Sequence, residues 1–340
     1  MTEKEIYTTL WKDIQDGRIT GMLPSISTMK SRFRTSHNTI HMALNRLKMQ
    51  GVVYGRQGKG VFVNENALSL RKTGKAALIM PSLQQFLMNP FYVNMLIVLK
   101  DTLAKAGYDI SLISDLKEDI KEYSAAIITN ANLIPEETLL SMKYALSGRI
   151  CLLNHKKDGF ISVSNDNFQG GRLAAERLYQ AGHRNIGVVT CYLDLPYNFF
   201  YDRFEGIRSF ARRHRDFHIT EFQVSDTGPD INVSDIGKRL LSDYPEITGL
   251  FTFKTSYAPE IQQVFKHSDR KISIVGYGES PYAPFLDPPL TTIKEDPAAL
   301  GEALCRTVCT LAAGKQPASI DIPVKLIERE SVFDIANTEN

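Results

Sequence analysis

The stretch SHNTIHMALNRLKMQGVVYGRQGKGVFV, Ser36–Val63, joins two kinds of pattern in one short run. Its first half sets Ile40, Ala43, Leu44 and Leu47 at i, i+3, i+4 and i+7, the spacing of a helix with one apolar face. Ser36 stands where the N-cap belongs and Gly51 where the helix must end. The second half places Val52-Val53-Tyr54 and Val61-Phe62-Val63 around a glycine-rich tip, Arg56-Gln57-Gly58-Lys59-Gly60, which predicts a hairpin. Opposite the apolar stripe the helix carries Asn38, Met42 and Asn45, flanked by Thr39, His41 and Arg46. Asparagine can bond an adenine edge at two points, and methionine can touch a thymine methyl. The amides of a helix N-terminus suit a phosphate. A tip with little bulk and two cations can approach a nucleic-acid backbone or enter a minor groove.

Upstream, Ile6, Leu10 and Ile14 form the stripe of a first helix that Gly17 ends. Pro24-Ser25 opens a second, with Ser25 as cap and Met29 and Phe33 facing inward. The short turn Arg34-Thr35-Ser36 then fixes the third helix so that it can lie in a major groove. Residues 1–63 are therefore expected to be a winged helix-turn-helix DNA-binding domain. Charge agrees. Residues 1–75 hold thirteen Lys and Arg against five Asp and Glu, a balance of +8, while the remainder is −6 and the whole 340-residue chain only +2. A small basic part on a larger acidic one suits a polyanion at one end. By charge alone, a solvated face competes evenly with that reading.

The segment from Leu23 to Val63 resembles the GntR-type winged helix-turn-helix, whose pattern runs L-P-S-E, V-S-R-x-T-V-R-x-A-L-x-x-L, G and Q-G-x-G-T-F-V. The match is strong at Leu23-Pro24-Ser25, Ser36, Thr39, Ala43-Leu44, Leu47, Gly51 and Gln57-Gly58-Lys59-Gly60. The resemblance implies DNA contacts from Ser27, His37, Asn38, Thr39, His41, Gln57 and Gly58; Ser36 and Lys59 join them on the reading above. The family usually has arginine where this chain has His37 and His41, and glutamate where it has Ile26. Replacing two permanent cations by imidazoles implies DNA binding that strengthens as histidine takes up protons.

Residues 64–75 are polar and aperiodic, so a linker is expected there, followed by one large domain over 76–335. From Lys75 onward, apolar strands such as AALIMP, AAIIT, RICLLN, IGVVT, TGLFTF and ISIVGYG alternate with helices such as Phe91–Ala106, Gln169–Ala181, Phe199–Arg213 and Ala298–Ala313. That predicts an α/β fold with parallel sheets covered on both faces. The N-terminus has no secretory pattern and no apolar run is long enough to span a membrane, so a cytoplasmic protein is expected. Cys151, Cys191, Cys305 and Cys309 form no metal pattern and read as free, buried thiols. His214, His218 and His267 read as surface residues, and His183 as part of a turn before a strand.

Ligands of open parallel sheets bind beyond the carboxyl ends of the strands. Residues placed at such ends here are Phe91, which offers a flat apolar face, Arg203, a fork of donors, and Glu279, an acceptor of hydroxyl hydrogens. The alternative for Arg203 is a surface ion pair with Asp202 or Glu205; for Phe91 and Tyr92 it is core packing. The phrases DNFQGGRLAAERLYQAGHRNI, DRFEGIRSF and PPLTTIKEDPAALG closely resemble the LacI/GalR type of effector-binding domain, related to periplasmic sugar-binding proteins. That resemblance implies two α/β lobes joined by three crossovers around an effector cleft. One lobe would hold about 75–170 and a return near 285–320, the other about 180–280. It also implies that Arg203 grips the effector, with Phe91, Tyr92 and Asn130 beside it. Lys254 and Thr255 stand at the family's usual Asn-Asp pair, and Gly278 at a frequent aspartate. Lys254 in that place favours an anionic sugar.

A GntR-type reader joined to a LacI-type sensor resembles the AraR group of bacterial regulators. The resemblance implies a homodimeric repressor, with no cofactor, metal or catalytic residue, that binds duplex operator DNA under control of a small carbohydrate-like effector. A nucleoside or sugar-acid effector, or a small-molecule binder without sequence-specific DNA recognition, are the alternatives. An enzyme is not expected, since the glycines of Tyr54–Gly60 are too closely spaced for a phosphate loop.

Overall fold

The computed structural model describes residues 1–15, 17–64, 74–191, 193, 198–224 and 232–335. Most of the expected linker lies outside them. Contacts group the chain into two compact units, residues 1–75 with 100–110, and residues 76–99 with 111–340.

In the first unit, helices α1 (Glu3–Gln15), α2 (Ile26–Phe33) and α3 (His37–Met49) precede an antiparallel hairpin, β1 (Val53–Arg56) and β2 (Gly60–Val63). The stripes meet as their spacing requires. Ile6, Leu10, Met29, Phe33, Ile40, Leu44 and Leu47 are all buried in one cluster, each contributing about 1.5–3 kcal/mol of burial free energy. Ser25 and Ser36 cap α2 and α3 by accepting from the Thr28 and Thr39 amides. Gly17 and Gly51 adopt φ of 70° and 69°, where a side chain would be strained. The Leu23 amide donates to the Val61 carbonyl and the Val63 amide to that of Gly21, which lays 21–23 against the wing.

From Gly74 onward the chain builds two six-stranded sheets. The first lobe carries β3 (Gly74–Ile79), β4 (Tyr108–Ile113), β5 (Ala125–Ile128), β6 (Ile150–Leu153), β7 (Ile161–Asn165) and β13 (Ile320–Ile322), in the order β4-β3-β5-β6-β7-β13. The second carries β8 (Asn185–Cys191), β9 (His218–Val224), β10 (Gly249–Thr252), β11 (Ser273–Tyr277), β12 (Thr291–Lys294) and β14 (Lys325–Ile327), in the order β9-β8-β10-β11-β12-β14. Among the described pairings of these sheets only β12·β14 is antiparallel. The helices are α4 (Leu83–Leu87), α5 (Pro90–Lys105), α6 (Glu136–Ala145), α7 (Asn167–Gln180), α8 (Phe199–Arg213), α9 (Val233–Ser242), α10 (Ala258–Phe265) and α11 (Pro297–Ala312).

The chain crosses between lobes after β7, after β12 and after β13. The return to the first lobe therefore begins at Pro297 and not near 285. β12 pairs with β11 and β14 with β12, so both belong to the second lobe, because a strand follows its hydrogen-bonded neighbours. The crossovers are stitched together: the Asp166 amide donates to the Ile322 carbonyl, and the Asn165 side chain to Glu295. His183 is fully buried at its turn, bonded to the Thr248 hydroxyl, and burial pushes its pKa down to about 4. His214 is half-buried rather than freely exposed; its ring lies 3.9 Å from that of Phe210. Cys309 is half-buried, unlike the other three thiols.

α7 and α8 approach through Gly171 and Gly206. A methyl group at Gly171 would collide with the Arg203 carbonyl, and one at Gly206 with that of Phe168. Only glycine allows this contact, and the contact sets where Arg203 stands. Gly206→Ala is expected to cost about 1–3 kcal/mol in urea unfolding, as overpacked helix contacts do. A variant as stable as the parent would show that the helices can part freely.

Candidate functional sites: a nucleic-acid interface and an interlobe cleft

Helix α3 presents His37, Asn38, Met42 and Asn45 exposed on one face, with Thr39 and His41 half-buried. The His37 and His41 rings stand 4.8 Å apart, one turn from each other. The Ser36 and Thr39 hydroxyls bond each other at 2.8 Å, closing the first turn. Arg46 does not flank this face. Its guanidinium lies over the Tyr7 ring at 4.3 Å and 3.5 Å from Glu3, so it is tied to α1. Ser27 is exposed on the first turn of α2. At the wing, the Lys59 amide donates to the Arg56 carbonyl at 3.0 Å, and Gly58 takes a φ of 70°. Gln57, Gly58 and Lys59 are exposed, while Arg56 leans over the Tyr54 and Phe62 rings at 5.4 and 5.1 Å. The exposed face can read base edges, and the tip can hold phosphate.

In the cleft, Asn198 caps α8 and the helix delivers Arg203 one turn later. Arg203 is only 5% exposed, which rules out a surface ion pair; Asp202 pairs with Lys156 instead, and Glu205 with Arg208 and Arg212. The Arg203 Nε donates to Asn167 Oδ1 at 2.8 Å and Nη1 to the Phe253 carbonyl at 2.6 Å. Its guanidinium stands 3.3 Å from the centre of the Tyr277 ring, 4.9 Å from Phe200 and 5.0 Å from Phe199. Nη2 faces Glu295 Oε1 at 3.9 Å, beyond hydrogen-bond reach. Glu295 in turn accepts from Asn165 Nδ2 at 2.8 Å. Asn154 joins the network from just after β6: its Oδ1 accepts from the Asn165 amide, and its Nδ2 donates to the Tyr92 hydroxyl at 3.2 Å. Burial pushes that phenol up to about 12.

Tyr92 and Arg203 thus share one polar network, and Phe91 packs edge-on against Tyr92 at 5.4 Å. Lys254 follows β10, with its ammonium 5.5 Å from the Tyr257 ring and 6.0 Å from Phe200. Asn130 takes a left-handed φ of 47° before the short turn Ala131–Leu133. The two oxygens of Glu279 are engaged, one by Arg329 at 2.6 Å and the other by the Thr292 hydroxyl, so the carboxylate beside Arg203 is Glu295. Thr255 donates to the Tyr277 and Gly278 carbonyls. Gly278 has a φ of 95°, and a Cβ there would lie 3.8 Å from Glu295 Oε2. Asn154, Asn165, Asn167 and Glu295 escaped the sequence reading. Three of them share a signal: Asn154, Asn165 and Glu295 lie at or just beyond strand ends. Among the described residues no His, Cys, Asp and Glu group is placed to hold a metal, and no helix is long and apolar enough to cross a membrane.

Burial raises the Glu295 carboxyl above its ordinary range, with Arg203 and Asn165 pulling the other way. Between the ordinary glutamate range and the raised one, the folded protein therefore keeps a proton that the unfolded chain releases. Stability falls as pH rises from the ordinary glutamate range to the raised one, then levels. Glu295→Gln should flatten that part of a plot of Tm against pH. Equal slopes in the two proteins would assign the titration elsewhere.

Residues 2–63 match the model of the bacterial regulatory proteins of the gntR family, and residues 175–332 match a periplasmic binding protein-like domain. The chain is 26% identical over 294 residues to the ribose operon repressor of Bacillus subtilis (strain 168), covering 79% of this chain and 85% of that one. Among solved structures, a LacI family regulator from Enterococcus faecium with bound ribose superposes with a TM-score of 0.61 at 21% identity, over 77% of this chain and 99% of that one. The lac repressor dimer bound to operator and an anti-inducer gives 0.64 at 17% identity, over 77% and 95%. With the winged helix and the two-lobed domain both in place, the chain joins a GntR-type helix-turn-helix to a periplasmic-binding-protein-like domain.

Proposed function

We propose that this chain is a ligand-responsive bacterial transcriptional regulator, a cytoplasmic repressor and not an enzyme. As a homodimer it holds operator DNA through its two winged helices, and a small carbohydrate-like effector in the interlobe cleft controls that hold. The observation that carries this reading is the Arg203–Glu295 couple, a second-lobe arginine beside a carboxylate at the start of a crossover, inside a wall of aromatic rings. A donor fork and an acceptor side by side match hydroxyl groups, and the flat rings match the C–H face of a sugar. Because Glu295 offsets the charge of Arg203, a neutral polyol fits this point better than an anion. Glu295 also brings a carboxylate to the place that the usual aspartate at position 278 would occupy. The ribose named with two of the similar proteins makes it the first probe. Lys254, beside the same aromatic wall, favours a sugar acid as the second reading. An effector that binds one arrangement of the dimer better than another shifts the population between them and so alters the grip on DNA.

The test is a thermal-shift series with ribose, other neutral sugars and sugar acids. A bound effector should raise Tm, as binding to the native state alone must, and Arg203→Met should abolish the shift. If none of these compounds raises Tm, or if Arg203→Met responds like the parent, the cleft reading falls. On duplexes selected from a random pool, Lys59→Met should weaken binding to all sequences and lower the salt slope by about 1. Asn38→Ala should cost about 1–3 kcal/mol on selected duplexes and little on arbitrary ones. Equal losses on both would assign Asn38 to the backbone.

A further inference from the structure

The segment after β6, Asn154-His155-Lys156-Lys157, reaches into both lobes. The His155 ring stands edge-on to Phe199 of α8 at 5.9 Å. Lys156 Nζ lies 3.0 Å from Asp321 on β13 and 3.3 Å from Asp202 on α8. Asp321 belongs to the same lobe as Lys156. Asp202 belongs to the other and immediately precedes Arg203. One ammonium therefore spans the cleft, and its far contact is the neighbour of the buried arginine.

We infer that Lys156 is a clasp that holds the lobes in their closed arrangement by gripping the residue next to Arg203, without itself touching an effector. The inference rests on the proposed cleft only for the role of Arg203. Lys156, Asp202 and Asp321 are 46%, 32% and 43% exposed, so their attraction is modest and screened by salt. A reversible closure needs that weakness, since a buried pair would lock. When the lobes part, Asp321 keeps its hold on the ammonium and only the Asp202 contact is lost. The lysine thus stays oriented for the next closure. Partial burial works against the charge of Lys156, yet the Asp321 and Asp202 carboxylates raise its pKa above the ordinary value, so it stays a cation.

The test uses the full chain with Cys309→Ser and nitroxides at Tyr144→Cys on the first lobe and Lys238→Cys on the second, both exposed. Interlobe distances are read by pulsed electron spin resonance at low and high salt, without ligand and with ribose. Lys156→Met and Asp202→Asn should each raise the share of long distances about three-fold, the size expected of an exposed ion pair. The double variant should add little to either single one, and Lys156→Arg should keep the parent distribution. High salt should lengthen the parent and leave Lys156→Met unchanged. A purely structural lysine would lower Tm without moving these distances. If Lys156→Met matches the parent in the absence of ligand, the clasp is overturned, even where ribose closes both proteins. If Lys156→Met opens the lobes while ribose moves neither protein, the clasp stands and ribose is excluded as effector.

Discussion

Arg203 keeps a full positive charge where water barely reaches it, and several separate parts of the chain are arranged to make that tolerable. Burying an unpaired guanidinium would cost several kcal/mol, so each neighbour matters. Asn167 at the start of α7 holds Nε, the Phe253 carbonyl after β10 holds Nη1, and three aromatic rings surround the plane. Glu295, on the crossover after β12, balances the charge. The side chain can reach all of these because Gly171 and Gly206 let α7 and α8 touch backbone to backbone. One charge thereby ties a helix pair, a strand end and a crossover to a single point.

The parts legible in the sequence were those in which one local pattern suffices. The stripe Ile6, Leu10, Ile14 has a helical period because one face of α1 is buried, and all three residues are at most 2% exposed. The continuous runs at β5, β6 and β10 are buried at every position. Strand β9 was not legible: His218, Glu221 and Gln223 are exposed at the sheet edge, and only Phe222 and Val224 are buried. β13 and β14 have three residues each, too few for a period. In the cleft, Arg203 was marked by its surrounding motif. Glu295, Asn154 and Asn165 have no such motif, because their meeting depends on crossovers far apart in the chain. Glu279 also stands just beyond a strand end, but Arg329, fifty residues away in the chain, holds it.

The two candidate sites make different demands. The reading face of α3 depends on a fixed surface, which its capped first turn and fully buried opposite side provide. The cleft lies between two lobes joined by short crossovers, which are held through hydrogen bonds such as Asp166 to Ile322, and by contacts such as Lys156 to Asp202. A rigid reader and a hinged sensor in one chain are what linked binding equilibria require, since an effector influences DNA only as far as it prefers one arrangement over another.

Asp13 is 3% exposed and is held by both Arg18 and Arg32, while Arg46 is held by Glu3. Three of the cations that make the amino-terminal part look strongly basic are thus already matched within it. Fewer counterions than composition implies would be set free when the protein meets a duplex. Residence on arbitrary DNA should accordingly be brief. Discrimination between duplexes then falls to groove contacts rather than to charge, so wrong sequences would be abandoned quickly.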